Sequence, residues 1–427
     1  MKIGFYESDI TPPLGEIMPG YYNERRAVTV HDRLYSKAMA IQSGEVTSII
    51  IAVDTCFIPD DMHDIVTKRI QKFTSVSPDS VSITSTHTHL GAPISEYSLK
   101  NCPADEPYTD VFYRLVADSA ILAYQNLSEA SLSFGKAPVD GLAFCRNLIM
   151  KNGTYVTNTD ELENVVAHLD VVDNEITALF ALEAGNPIGA LVSFPLHQDT
   201  VHPEVLGYSG DYASVIAQKL KEAYGPDFVT VFGIGVCGDV NHIDYTQKEV
   251  DNSFYTHRPI GERLANALIE IYEHTNPIDG LLIQQKEKLV VNRRKLTLEE
   301  LKEKLLERFE TEDHAMNIGN LVAYYMLEMP DGRNVYIHVI AIGDFAIYLL
   351  PGEMFSCYGL RIKEESPFKY NMVIENANSY VGYIPSLKAF APESRLYEVV
   401  PTDYSCVVPE AGTIITDKAL EMARKLI

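Results

Sequence analysis

The sequence predicts a mixed α/β protein, β-sheets flanked by helices. Two observations carry this. Short β-branched runs alternate with helically spaced apolar stretches along most of the 427 residues. A composition of 46% hydrophobic and 22% charged residues is that of a soluble chain able to bury a large core. Length alone allows two or three domains, but no repeat, low-complexity tract or Gly/Ser linker divides the chain, so residues 1–427 are read as one domain.

In chain order, 48–53 reads as a strand. The apolar spacing of Met62, Ile65, Val66, Ile70 and Phe73 after Asp60-Asp61 predicts a helix. Strands follow over 80–85 and 190–194. Val215, Ile216, Leu220 and Tyr224 form a helical stripe that ends before Gly225-Pro226. A strand over 229–232 precedes a helix carrying Leu264, Leu268 and Ile271 after Pro259. Thr297-Leu298-Glu299-Glu300 has the spacing of a capping box and opens a charged helix with Leu301, Leu305 and Phe309 on one face; 296–328 is therefore expected to be a helical insertion or dimer arm. Strands over 335–342 and 345–350 follow.

Charge narrows the partners. Thirty-five Lys and Arg against 59 Asp and Glu leave −24, which repels nucleic acid and anionic lipid surfaces. No apolar run approaches the roughly 20 residues of a membrane helix. The start, Met1 to Phe5 running into Glu7 and Asp9, lacks the pattern of a secretory leader, so a cytoplasmic location is expected. Six cysteines without a C-x-x-C pair suggest reduced core thiols. A small-molecule substrate fits, and a homo-oligomer is left open.

The chemistry concentrates in a few loops. Thr86-His87-Thr88-His89 directly follows a strand; if strand geometry continues, His87 and His89 face one side and can share a metal, or one can bind it while the other serves the reaction. They serve equally well as a hydrogen-bonded surface pair. His197 lies at the end of another strand, in Phe194-Pro195-Leu196-His197, and alone reads as structural. Glu353 follows Leu350-Pro351-Gly352, where a buried carboxylate needs a cation; the alternative is a helix N-terminal residue favoured by the dipole. The stretch Gly235 to His242 is a tight polar loop offering Asp239 or His242 to a ligand. Two histidines, one glutamate and an open position match the donors of catalytic zinc sites, where the ion polarises a carbonyl and activates water. Neither a G-x-S-x-G elbow nor a phosphate- or dinucleotide-binding glycine motif is present.

Taken together, these motifs resemble the catalytic N-terminal domain of the neutral (alkaline, non-lysosomal) ceramidases, zinc amidases that split ceramide into sphingosine and fatty acid. The resemblance runs from Ile10-Thr11-Pro12 to Tyr397-Glu398. It implies a ceramidase-like catalytic domain with one zinc per chain on His87, His197 and Glu353. A tyrosine would be the fourth ligand, Tyr383 or, nearby, Tyr380. It further implies His89 beside the ligands or on the reacting carbonyl, Arg146 against substrate, Tyr397 on the oxyanion side, and Asp239, His242 and Tyr380 shaping the pocket. One departure matters: the family's G-D-V-S-P-N is here Gly238-Asp239-Val240-Asn241-His242-Ile243, with Asn241 at the serine position. A serine-nucleophile mechanism does not carry over, whereas water activated on zinc does, with Asn241 orienting substrate or donating to the oxyanion. The resemblance also stops short of the family's immunoglobulin-like C-terminal domain. The expected enzyme is thus a zinc-dependent hydrolase of a linear amide in a soluble substrate smaller than ceramide. The alternatives are hydrolysis of an ester or carbohydrate-linked group, or metal or ligand binding without catalysis.

Overall fold

The β-branched runs fold into three large mixed sheets, with smaller two- and three-stranded ones beside them, in a computed structural model that describes residues 1–21, 24–93, 106–249, 253, 255–297, 299–300, 329–402 and 404–427. The first sheet holds β1 (Lys2–Asp9), β2 (Tyr35–Ser43), β3 (Val46–Val53) and β4 (Val81–Ser85). The second holds β5 (Ser131–Pro138), β6 (Glu175–Glu183), β7 (Asn186–Phe194) and β8 (Val229–Ile234). The third holds β9 (Leu282–Asn292), β10 (Gly332–Ile342), β11 (Phe345–Leu349) and β12 (Tyr370–Ile374). In each sheet these four strands lie side by side in chain order: three antiparallel, the fourth parallel to the third.

A parallel neighbour needs a crossover, and a helix makes it every time. These are α1 (Met62–Ile70), α3 (Asp211–Tyr224) and α5 (Ser356–Glu365). A further helix follows each fourth strand: α2 (Glu106–Gln125), α4 (His257–Tyr272) and α6 (Ala411–Arg424). Shorter strands aside, the described residues thus run in the order βββαβα three times over, although the sequence shows no repeat.

Strand alternation explains how the units pack. In β3, Ile49, Ile51 and Val53 face α1 and α2, while Ile50 and Ala52 point the other way, into a core shared by all three sheets. That core also takes Leu191 from β7, Val231 from β8, Ile347 from β11 and Met372 from β12. Phe194 with Leu220 and Leu264, and Tyr348 with Ile362 and Ile415, complete the outer layers of the second and third sheets. With helices on one face and other sheets on the opposite face, the central strands are apolar throughout, as the sequence suggests.

Several expectations are corrected in detail. α1 stops at Ile70, leaving Phe73 exposed, and Ser80 belongs to a 3₁₀ turn, Pro78–Ser80. Pro259 sits inside the first turn of α4, where its missing N–H costs no helical bond. Of the expected arm at 296–328, residues 298 and 301–328 lie outside the described residues. The capping box itself forms: Glu300 N donates to Thr297 Oγ1 (3.2 Å), and Thr297 N donates back to Glu300 Oε2 (2.7 Å). The described cysteines, Cys56, Cys145, Cys237, Cys357 and Cys406, are free thiols.

Candidate metal centre

In all three sheets the parallel pair ends at the same place, and the loops leaving these carboxyl ends meet there. His87 stands two residues beyond β4, His197 three beyond β7 and Glu353 four beyond β11. Their side chains converge: His87 Nε2 lies 2.9 Å from His197 Nε2 and 3.3 Å from Glu353 Oε2, which is 3.9 Å from His197 Nε2. All three residues are buried.

The route to this geometry differs from the one expected. The strand does not continue past Ser85; His87 turns into the left-handed region at φ +68°, a backbone state few bulky residues adopt outside functional loops. The two histidines nevertheless share the enclosure. His89 packs edge-on against His87 and His197, with ring centroids 5.2 Å away in both cases. Arg25, unmarked in the sequence, fixes this loop by donating to the His89 carbonyl oxygen (2.6 Å).

Hydrogen bonds aim the candidate ligands. His87 Nδ1 lies 2.5 Å from the Cys56 carbonyl, which can only accept, so Nδ1 carries a proton and Nε2 faces the cluster. Tyr380 donates to Glu353 Oε1 (3.1 Å), whereas Oε2 is buried without a hydrogen-bond partner. Glu353 also lies opposite Tyr383 in a short parallel pairing, with Glu353 N donating to Gly382 O (3.0 Å). Gly382 is required there: at φ +71° a Cβ would meet the Tyr404 carbonyl oxygen.

A second chain of bonds approaches from the tyrosine segment. Arg146 donates through Nη2 to Tyr397 Oη (2.7 Å) and through Nε to Glu398 Oε1 (3.0 Å), and Tyr397 Oη donates to Tyr383 Oη (2.6 Å). Burial and the Glu353 charge hold the Tyr383 hydroxyl well above its ordinary pKa.

The electrostatics are those of a place built for positive charge. Burial pulls the His87 imidazole down, but Cys56 and Glu353 outweigh it and hold it well above its ordinary value. Burial and His87 push His89 and His197 well below theirs. Burial raises the Glu353 carboxyl, yet His87 beside it brings it below the usual range. An orphaned carboxylate oxygen and two imidazole nitrogens within 4.8 Å of one another fit a divalent cation.

Other expected residues lie farther out. Asp239 was expected against a ligand; instead its Oδ1 accepts from Ser356 N and Oγ (2.7 Å each), tying the Gly238 loop to the start of α5. Asn241 Nδ2 donates to Asp199 Oδ2 (3.4 Å), and His242 Nδ1 stands 4.0 Å from Asp199 Oδ1. Asp199 and Glu375 escape the sequence reading. Asp199 sits two residues after His197, the one clue available; Glu375 is a lone acid after an apolar strand.

The sequence model of the neutral/alkaline non-lysosomal ceramidases, N-terminal part, matches residues 1–244, more than half of the chain. Among solved structures, a ceramidase complexed with C2 superposes with a TM-score of 0.78 at 18% identity, covering 99% of this chain and 74% of that one. The neutral ceramidase from Pseudomonas aeruginosa gives 0.77 at 18% identity with the same coverage. These likenesses concern the fold, and they extend it over Glu353 and the tyrosine segment, beyond the matched residues.

Proposed function

The chain belongs to the neutral/alkaline non-lysosomal ceramidase family, a family of hydrolases, and from that premise we propose that it is a zinc-dependent amidase cleaving a linear amide in a substrate smaller than ceramide. The observation that carries the reading is the convergence of His87, His197 and Glu353, each from a different sheet, with Glu353 Oε2 facing both imidazoles and accepting no hydrogen bond.

Tyr383 is the better fourth ligand. Arg146 donates to Tyr397 and Tyr397 to Tyr383, so the Tyr383 oxygen stands at the accepting end of the chain; the Tyr380 hydroxyl already serves Glu353. A bound zinc ion supplies Lewis acidity, polarising the carbonyl and lowering the pKa of water. The protein's own groups do the rest. His89 flanks the reacting carbonyl, Arg146 holds Tyr397 on the oxyanion side of the site, and Asn241 orients the amide. Asp239 acts through the fold.

A substrate free in water agrees with the net charge of −24, and no helix among the described residues is long and apolar enough to cross a membrane.

The test is elemental analysis of wild type and His197→Ala, followed by hydrolysis of amides of graded acyl length. Zinc at one per chain, lost in the variant, with turnover of short amides, is the expected result. No metal in either protein after zinc is added would sink the reading and leave a binding scaffold; turnover of esters alone would move it to the other bond.

A further inference from the structure

We propose that Asp199 and His242 form a general-acid pair that protonates the departing amine, and that the cavity beside them seats a compact amine. This rests on the amidase reading and adds to it the half of the reaction that the ligand cluster leaves open.

Amide cleavage needs a proton on nitrogen as the C–N bond breaks. His242 faces Asp199, which is within electrostatic reach of His87. The His242 loop follows β8, beside the loop that carries His197, and His242 Nδ1 faces Asp199 Oδ1 at 4.0 Å. Catalytic contacts are often this long before substrate binds. Asp199 Oδ1 accepts no hydrogen bond, while Oδ2 takes the Asn241 amide at 3.4 Å. The carboxylate faces the Nδ1 side of the ring, so the proposed donor is the opposite nitrogen, Nε2. Side-chain exposures of 13% for His242 and 15% for Asp199, against 1–3% for the three ligands, give the pair a path for proton exchange.

His242 also lines a cavity of about 340 Å³, with Leu142 and Phe144 among its apolar residues and Asp244, Glu249 and Arg263 among its charged ones. That volume is at the small end for ligand pockets and suits a short amine, not a long-chain base. Two carboxylates suit the cation the amine becomes. Asp244 is held in place by Thr246, Gln247 and His168, and the Asn241 side chain accepts from Ile243 N (3.1 Å), setting the turn on which His242 sits.

The step balances. Water adds its oxygen to the carbonyl carbon and loses one proton to solvent; His242 Nε2–H passes its proton to the amide nitrogen; the C–N bond breaks, giving acid and amine. His242 regains its proton from solvent through the cavity.

The experiment compares zinc-loaded wild type, His242→Gln and Asp199→Asn on two substrates sharing one short acyl group, an alkyl amide and an activated aryl ester whose leaving group needs no proton. The alkyl amide should lose roughly 10²–10⁴-fold in kcat in His242→Gln and the ester little. Zinc content and Tm should not change. Equal loss on both substrates, or none, overturns the pair. Wild type turning over neither substrate would defeat the amidase reading instead. The pair is then judged on the His242 ring by ¹H–¹⁵N NMR: its pKa should fall in Asp199→Asn, and an unchanged value overturns the proposal.

Discussion

Glu375 accepts from three donors directly behind the candidate ligand Glu353: Cys237 N (3.2 Å) and Sγ (3.4 Å) on Oε1, and Met354 N (2.7 Å) on Oε2. Burial and the Glu353 charge push this carboxyl well above its ordinary pKa. The Glu375→Gln variant keeps the shape but offers one accepting oxygen, so its NH₂ must oppose a backbone N–H. The expected cost is about 1–3 kcal/mol of stability. Zinc should bind roughly 10–100-fold more weakly, because Met354 adjoins Glu353. Urea unfolding and zinc titration check both; unchanged values would show the three contacts to be incidental. Residues of this kind are hard to read from sequence. His87 and His89 announce themselves by spacing, although the strand phase that seemed to align them ends at Ser85. Glu375 acquires meaning only from Cys237, 138 residues away.

At the scale of elements, α5 begins without a cap of its own: Phe355 precedes it, and Asp239 from another sheet accepts the Ser356 N–H. Asp239→Ala should therefore cost about 1–2 kcal/mol, as lost N-caps do, and loosen the turn that carries Glu353. The pH dependence has a definite sign. Burial raises the Asp239 carboxyl to about 6, above its unfolded value of 3.8. Its contribution is complete below the lower value and is lost as pH rises through the upper one. Asp239→Asn, whose amide oxygen can keep both Ser356 bonds, should flatten the fall of Tm between pH 4 and 6.5; a slope equal to wild type would refute this. Central strands were legible because they are apolar on both faces. α5 and α6 were not, since small or polar buried residues such as Ser356, Gly359, Ala411, Gly412 and Ala419 interrupt the apolar stripe that Ile362, Ile415 and Leu420 belong to.

Across the whole molecule, three units of one strand-and-helix order aim their loops at one point, so the three candidate ligands report on all three sheets at once. Zinc binding the folded chain alone at 1,000 times Kd adds about 4 kcal/mol, roughly 4–5 °C for a chain of this length. Calorimetry with and without a chelator should show that shift as one transition; an unmoved Tm would mean that the ligands do not tie the sheets together. The threefold order was invisible in the sequence because packing conserves strand direction and burial, not residue identity. That order also brings matching loop positions of different units to the centre. Cys56 occupies, three residues past β3, the seat that His197 occupies three residues past β7. Its sulfur lies 3.9 Å from His87 Nδ1. Nδ1 is the nitrogen that bonds to the Cys56 carbonyl, so the residue in this seat stands behind the ring and aims it. A change of residue at that seat therefore reaches the centre through the orientation of His87, without touching the strands of the three large sheets.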